Sequence, residues 1–131
     1  MDKIPQMLIV DDAHAIRAIL AICCRHAGYE PVSVENANQA LAVARTQSFH
    51  LILANHWNAK LDSVSFCRQL RLTKGHEKTS VAICSNSLDT LDIAGLQREL
   101  DPLFFIPKPV DIESYPDLIR AAARVPADCV E

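Results

Sequence analysis

Glycine is scarce in this sequence, with three in 131 residues. So few cannot form a glycine-rich loop that cradles a nucleotide phosphate, and no such motif occurs, which argues against an enzyme and against a redox flavoprotein. Basic clusters are also lacking. Thirteen Lys and Arg stand against sixteen Asp and Glu, for a formal charge of −3, and no basic cluster exceeds two residues. The chain alone is therefore not expected to bind nucleic acid. Long apolar runs are missing too. The longest fall far short of a membrane span or a signal peptide's apolar region, and the opening MDKIPQ is polar, so a cytoplasmic protein without a membrane partner is expected. Five cysteines, an odd number without C-x-x-C spacing, indicate neither a disulfide framework nor a zinc site. Cys67, Cys84 and one of the vicinal Cys23–Cys24 pair are expected to be buried and reduced; a redox role for that pair is the lesser alternative, because adjacent helical side chains diverge by about 100°. Cys129 falls in the C-terminal tail.

What is present is a regular alternation. Met7 to Val10 is an apolar run followed by Ala13 to Ala27, where Ile16, Ile19, Leu20 and Cys23 recur at helical spacing and Gly28 marks the end. Pro31 to Val34 alternates like a strand and precedes the alanine-rich Ala37 to Ser48. His50-Leu-Ile-Leu-Ala-Asn55 reads as a third strand, with a helix over Val64 to Leu72. Val81 to Cys84 is a fourth strand before a weaker, polar helix from Leu88 to Leu100. Leu103 to Ile106 is a fifth, followed by a helix from Ile112 to Val125. Five strands alternating with five helices call for a parallel sheet covered on both faces, since parallel neighbours need right-handed helical crossovers. The expected architecture is α/β, a flavodoxin-like doubly wound (βα)5 fold with strand order 2-1-3-4-5. No repeat, low-complexity segment or linker is found. Residues 1–131 are read as one domain, with its core at 6–124 and a tail at 125–131.

In such a sheet the carboxyl ends of strands one, three, four and five converge at a topological switch point. The sequence places Asp11 and Asp12, Asn55, Ser85 and Lys108 there. These acids could instead serve as the cap and first turn of the following helix. His14 and His56 could join them around a softer metal, although histidines beside a loop are usually solvated.

The set LIVDD, a polar residue ending strand three with Leu-Asp six residues on, a hydroxyl residue ending strand four, and Lys-Pro ending strand five resembles the CheY-like receiver domain of response regulators in two-component signalling. The resemblance covers about residues 6 to 124. It implies that Asp12 is a direct magnesium ligand, Asp11 an outer one and the Trp57 backbone carbonyl a third. Asn55 matches the aspartate that accepts phosphate. Ser85 matches the hydroxyl that bonds the phosphoryl oxygen and Lys108 the cation that pairs with it. Phe105 matches an aromatic that turns inward on activation, and the Lys108–Pro109 bond is cis in typical members.

The departures from that pattern gather at one site. Phosphoryl transfer to a side chain needs an anionic oxygen nucleophile, and the Asn55 amide has none. Ala59 replaces a usual proline, Ser63 a usual glycine, and Asn86 a small residue. The expectation is a non-enzymatic pseudo-receiver in a phosphorelay system that holds magnesium weakly and acts by contact. Its partner would be a histidine kinase, a downstream effector or a second copy, through the surface of helix four, strand five and helix five. The alternative is a working phosphoacceptor receiver in which Asn55 is an engineered replacement for aspartate. Only Pro126 to Glu131 follows the receiver-like region, so no effector domain is expected in this sequence.

Overall fold

The computed structural model describes residues 4–55, 63–85, 93–107 and 110–124. Strands and helices alternate as β1 (Gln6–Val10), α1 (His14–His26), β2 (Glu30–Val34), α2 (Ala37–Ala44), β3 (Leu51–Asn55), α3 (Ser63–Arg71), β4 (Ser80–Ser85), α4 (Ile93–Glu99), β5 (Leu103–Pro107) and α5 (Tyr115–Arg124). All strand pairings are parallel, and the sheet order is β2-β1-β3-β4-β5. This is the flavodoxin-like α/β architecture expected from the alternation.

Strand composition follows position in the sheet. Met7 to Val10 and Leu51 to Ala54 lie in interior strands covered on both faces, so they are apolar at every step and fully buried. The edge strand β2 exposes Glu30 and Ser33. Successive side chains feed two cores. Leu8, Val10, Ile52, Ala54, Val81, Ile83 and Leu103 meet Ala40, Leu41 and Ala44 of α2 and Phe66, Cys67 and Leu70 of α3, with Leu96 of α4 packed alongside. On the opposite face Met7, Ile9, Leu51, Leu53, Ala82, Cys84 and Ile106 meet α1 and α5.

Several sequence expectations shift. Both Cys23 and Cys24 are buried, not one of the pair. With Leu20 and Ala27 they form an i, i+3, i+4, i+7 stripe, and that stripe is wide enough to hide adjacent residues because α1 packs on the sheet and on α5. Helix α1 does end at Gly28, whose φ of 97° only glycine adopts readily; its N–H donates to the Arg25 carbonyl and that of Tyr29 to Cys24. Helix α2 stops at Ala44, four residues before the expected Ser48, and Phe49 beyond it turns into the core. Helix α5 begins at Tyr115 after a turn in which the Asp111 carboxylate accepts from Ser114 N and Oγ. The cis peptide bond among the described residues is Asp101–Pro102, while Lys108–Pro109 lies outside them.

His76 belongs to the polar stretch TKGHEKTS yet is 1% exposed. Its Nε2 lies 2.8 Å from the Ala44 carbonyl and 3.1 Å from that of Gln47, its Nδ1 lies 2.9 Å from Thr79 Oγ1, and the ring stacks on Phe49. One imidazole thus joins the α2–β3 and α3–β4 connections at the end of the sheet opposite the switch point.

Candidate functional site at the carboxyl edge of the sheet

Parallel register decides which strand-end residues are neighbours. Val10 pairs with Ala54, so Asp11 and Asn55 occupy the next step on adjacent strands. Asn55 pairs with Cys84, and Ser85 pairs with Pro107, the residue before Lys108. The backbone therefore brings Asp11, Asn55 and Ser85 to one edge, where the strand order reverses between β1 and β3. Trp57 and Lys108 lie outside the described residues, as do His56, Ala59 and Asn86.

Asp11 is 0% exposed, an uncommon setting for a carboxylate unless its oxygens find partners. Its Oδ1 accepts from the Ala13 N–H at 2.9 Å. Its own N–H donates to the Val34 carbonyl at 3.2 Å, extending the β1–β2 ladder one step. Its carbonyl accepts from Arg17 Nη1 at 2.8 Å. Backbone and side chain are thus held from three directions. Asp12, one residue on, is exposed.

Helix capping does not account for these acids. Ala13 is the N-cap of α1, no side chain caps it, and the first turn carries no acidic residue. Asp11 instead braces the turn that leads into the helix. Arg17 was not foreseen as part of this region. Its signal is spacing: it lies one helical turn beyond His14, whose Nδ1 is 3.5 Å from Arg17 Nη2, and that turn starts next to the acids. His14 is exposed, and among the described residues no group of three His, Cys, Asp or Glu could hold a metal ion; His56, the other histidine of the softer-metal reading, lies outside them.

Beneath the edge, a group of polar atoms lies in the α1–α5 core. Cys23 Sγ approaches the Asp111 carbonyl at 3.7 Å, and the Tyr115 hydroxyl donates to the Pro107 carbonyl at 2.8 Å. Burial pushes the Cys24 thiol up to about 12, and the neighbouring Cys23 and Cys84 act in the same direction. Burial also raises Cys23 and Tyr115. These groups stay neutral at physiological pH and are poor nucleophiles. On the other face, Phe105 is half-buried against the α2–α3–α4 core, while its neighbour Phe104 packs towards α1 and α5.

A doubly wound parallel sheet with a buried carboxylate at its switch point defines a class of α/β domain that gathers ligand groups at one edge. Comparison with known proteins narrows that class. The model of the response regulator receiver domain matches residues 7–120, and the chain belongs to this family of two-component signalling domains. Response regulator ArlR of Staphylococcus saprophyticus is 28% identical over 120 residues, covering 91% of this chain and 52% of that protein. The alkaline phosphatase synthesis transcriptional regulatory protein PhoP of Bacillus subtilis is 32% identical over 69 residues, covering 53% of this chain and 29% of that protein. The chain thus spans about half the length of ArlR.

Among solved structures, chemotaxis response regulator CheY4 of Vibrio cholerae superposes with a TM-score of 0.80 at 18% identity, covering 92% of this chain and 99% of that one. The receiver domain of a sensor histidine kinase from Pseudomonas aeruginosa, which carries a magnesium ion coordinated in its active-site cleft, gives a TM-score of 0.77 at 17% identity, covering 92% and 98%. At these identities the likeness is one of fold.

Proposed function

We propose that this receiver domain signals by protein contact and without phosphorylation of its own. The observation that carries the reading is Asn55 at the end of β3, beside the buried Asp11 at the same step of the adjacent strand, where the family pattern has an acceptor aspartate. An amide nitrogen delocalises its lone pair and the amide oxygen bears no full charge, so an acyl-phosphate does not form there by the family's route.

The donor set is chemically suited to a hard cation. Asp11 and Asp12 offer carboxylate oxygens and the Trp57 backbone a carbonyl, and these three would hold magnesium, with affinity lowered because the third carboxylate is missing. When bound, that ion would neutralise charge around an incoming phosphoryl group. Ser85 and Lys108 are the residues we assign to its remaining oxygens, and Phe105 to the coupled aromatic position.

Contact is assigned to the surface formed by α4, β5 and α5, and the partner to a histidine kinase, a downstream effector or a second copy of this chain. No helix among the described residues is long and apolar enough to cross a membrane, which suits a partner met in the aqueous phase. Incubation with acetyl phosphate and magnesium tests the reading. The unmodified protein should keep its mass, and Asn55→Asp should gain about 80 Da, one phosphoryl group. A gain in the unmodified protein, mapped to this edge, would overturn the proposal.

A further inference from the structure

Helix α4 is short, and none of its seven residues is buried. It carries a glycine, Gly95, near its middle, and a helix of this length has little intrinsic stability of its own. Its apolar packing, among the described residues, includes Leu96, which lies partly buried against the core. Polar contacts at its carboxyl end are denser. Arg68 of α3 grips Glu99 in a two-pronged pair, Nε to Oε2 at 2.6 Å and Nη2 to Oε1 at 3.0 Å. One turn further along α3, the half-buried Arg71 donates to the Leu100 carbonyl through Nε at 3.2 Å and Nη2 at 2.9 Å, and to the Pro102 carbonyl at 2.9 Å. Its Nη1 reaches the His76 carbonyl at 3.0 Å. From α4 itself, Gln97 Nε2 donates to the Leu103 carbonyl of β5 at 3.0 Å.

We propose that Arg68 and Arg71 form a clasp that locks α4 to α3 and so fixes the position of α4 against β5. Three features support this role. The two arginines are spaced i, i+3, so both project from one side of α3 towards the same helix end. The carbonyls that Arg71 engages, Leu100 and Pro102, flank the turn between α4 and β5, the point about which α4 would have to swing. The Arg68–Glu99 geometry is bidentate, which fixes direction as well as distance. Hydrogen bonding to Arg68 lowers the Glu99 carboxyl below its ordinary value, and burial lowers the Arg71 guanidinium, as a cation partly withdrawn from water between carbonyls should show. Because the clasp lies on α3, away from the strand-end carboxylates, it holds α4 whether or not Asn55 accepts a phosphoryl group.

The clasp can be tested by backbone amide NMR with relaxation dispersion on the intact protein, comparing the parent with Arg68→Ala and with Glu99→Ala. Both pair members are exposed at the surface, so both variants should fold. The parent should show little microsecond-to-millisecond exchange in α4. Each variant should develop it across Ile93 to Phe105, with the population of the displaced helix rising about two- to fivefold, as expected for loss of a surface ion pair of good geometry. Amides of β1 and β3 should keep their parent shifts. The clasp is refuted if both variants leave α4 as quiet as the parent, or if the parent already exchanges there to the same extent. Spectral change limited to the residues touching the substituted side chain would equally reduce the pair to a local surface contact.

Discussion

Arg17 Nη1 donates to the backbone carbonyl of Asp11 at 2.8 Å, so a cation on the second turn of α1 holds the residue that leaves β1. The contact is half-buried and charge-assisted, and it works with the Oδ1 to Ala13 bond to shape the acidic turn. Arg17→Ala should lower stability by about 1–3 kcal/mol, the range for hydrogen bonds to charged groups and for a carbonyl left short of a partner. A fall in the urea midpoint at unchanged slope would show it. Equal midpoints for the variant and the parent would mean that the Asp11 turn does not depend on Arg17.

The amide at position 55 should be legible in cation affinity. A site with two carboxylates repels less and binds a divalent ion less than a site with three. Magnesium titrated against fluorescence of Trp57, the only tryptophan, should saturate above the millimolar range. Asn55→Asp should tighten binding by about tenfold, equivalent to ~1.4 kcal/mol. The same variant should be less stable than the parent without magnesium and recover when it is added. Sub-millimolar binding by the unmodified protein would contradict the assignment.

A conformation set without phosphate should ignore a phosphate mimic. Beryllofluoride with magnesium is expected to leave the backbone amide spectrum unchanged, because under the proposed assignment a phosphoryl group engaging Ser85 and Lys108 would be what favours the active state. Widespread shifts across α4 and β5 would refute this.

His76 should matter to stability far more than its polar neighbourhood suggests. Replacing it with alanine withdraws the partner of two backbone carbonyls, Ala44 and Gln47, and the ring stacked on Phe49. The expected loss is about 2–4 kcal/mol. His76→Gln should recover part of it by keeping a donor. An alanine variant as stable as the parent in chemical denaturation would show that water satisfies those carbonyls equally well.

The buried thiols predict an alkaline limit. Cys24 titrates near its ordinary 9.0 when unfolded and is pushed up to about 12 in the fold, chiefly by burial. A group raised in the folded state contributes stability that is complete below the unfolded value and is lost as pH climbs through the folded one. Stability should therefore fall between about pH 9 and 12, by up to ~1.4 kcal/mol per pH unit from this residue. Cys23 and Tyr115, raised in the same direction, should deepen the fall. Urea midpoints measured from pH 8 to 10.5 should slope less steeply in Cys24→Ala than in the parent. Equal slopes would remove Cys24 from the account.

Strand and helix order, the parallel sheet and the two-sided core were legible in the sequence. The reason is periodicity: runs such as Met7 to Val10 and Leu51 to Ala54 are apolar at every position, and a strand that is not itself at an edge must be so when helices cover both faces. The backbone convergence of Asp11, Asn55 and Ser85 at the carboxyl edge was legible as well, because strand ends in a doubly wound sheet are converging positions. Helix limits were less so. The alanine-rich stretch from Ala37 runs on to Ser48 by composition, but the helix ends at Ala44 and Phe49 beyond it is buried.

Other properties belong to the tertiary structure alone. Local spacing separated Cys23 from Cys24, and only the packing of α1 against both the sheet and α5 buries the two together. His76 lies in a stretch that reads as solvated, and it is buried because two connections far apart in sequence meet around it. Arg68 and Arg71 went unremarked in the sequence, and the partners they hold at the end of α4 and in the α4–β5 turn lie 29 to 31 residues away. Periodicity reports which residues leave water within one element. Which carbonyl or carboxylate then receives a buried or bridging side chain depends on how separate elements are brought together, and that is decided by the fold as a whole.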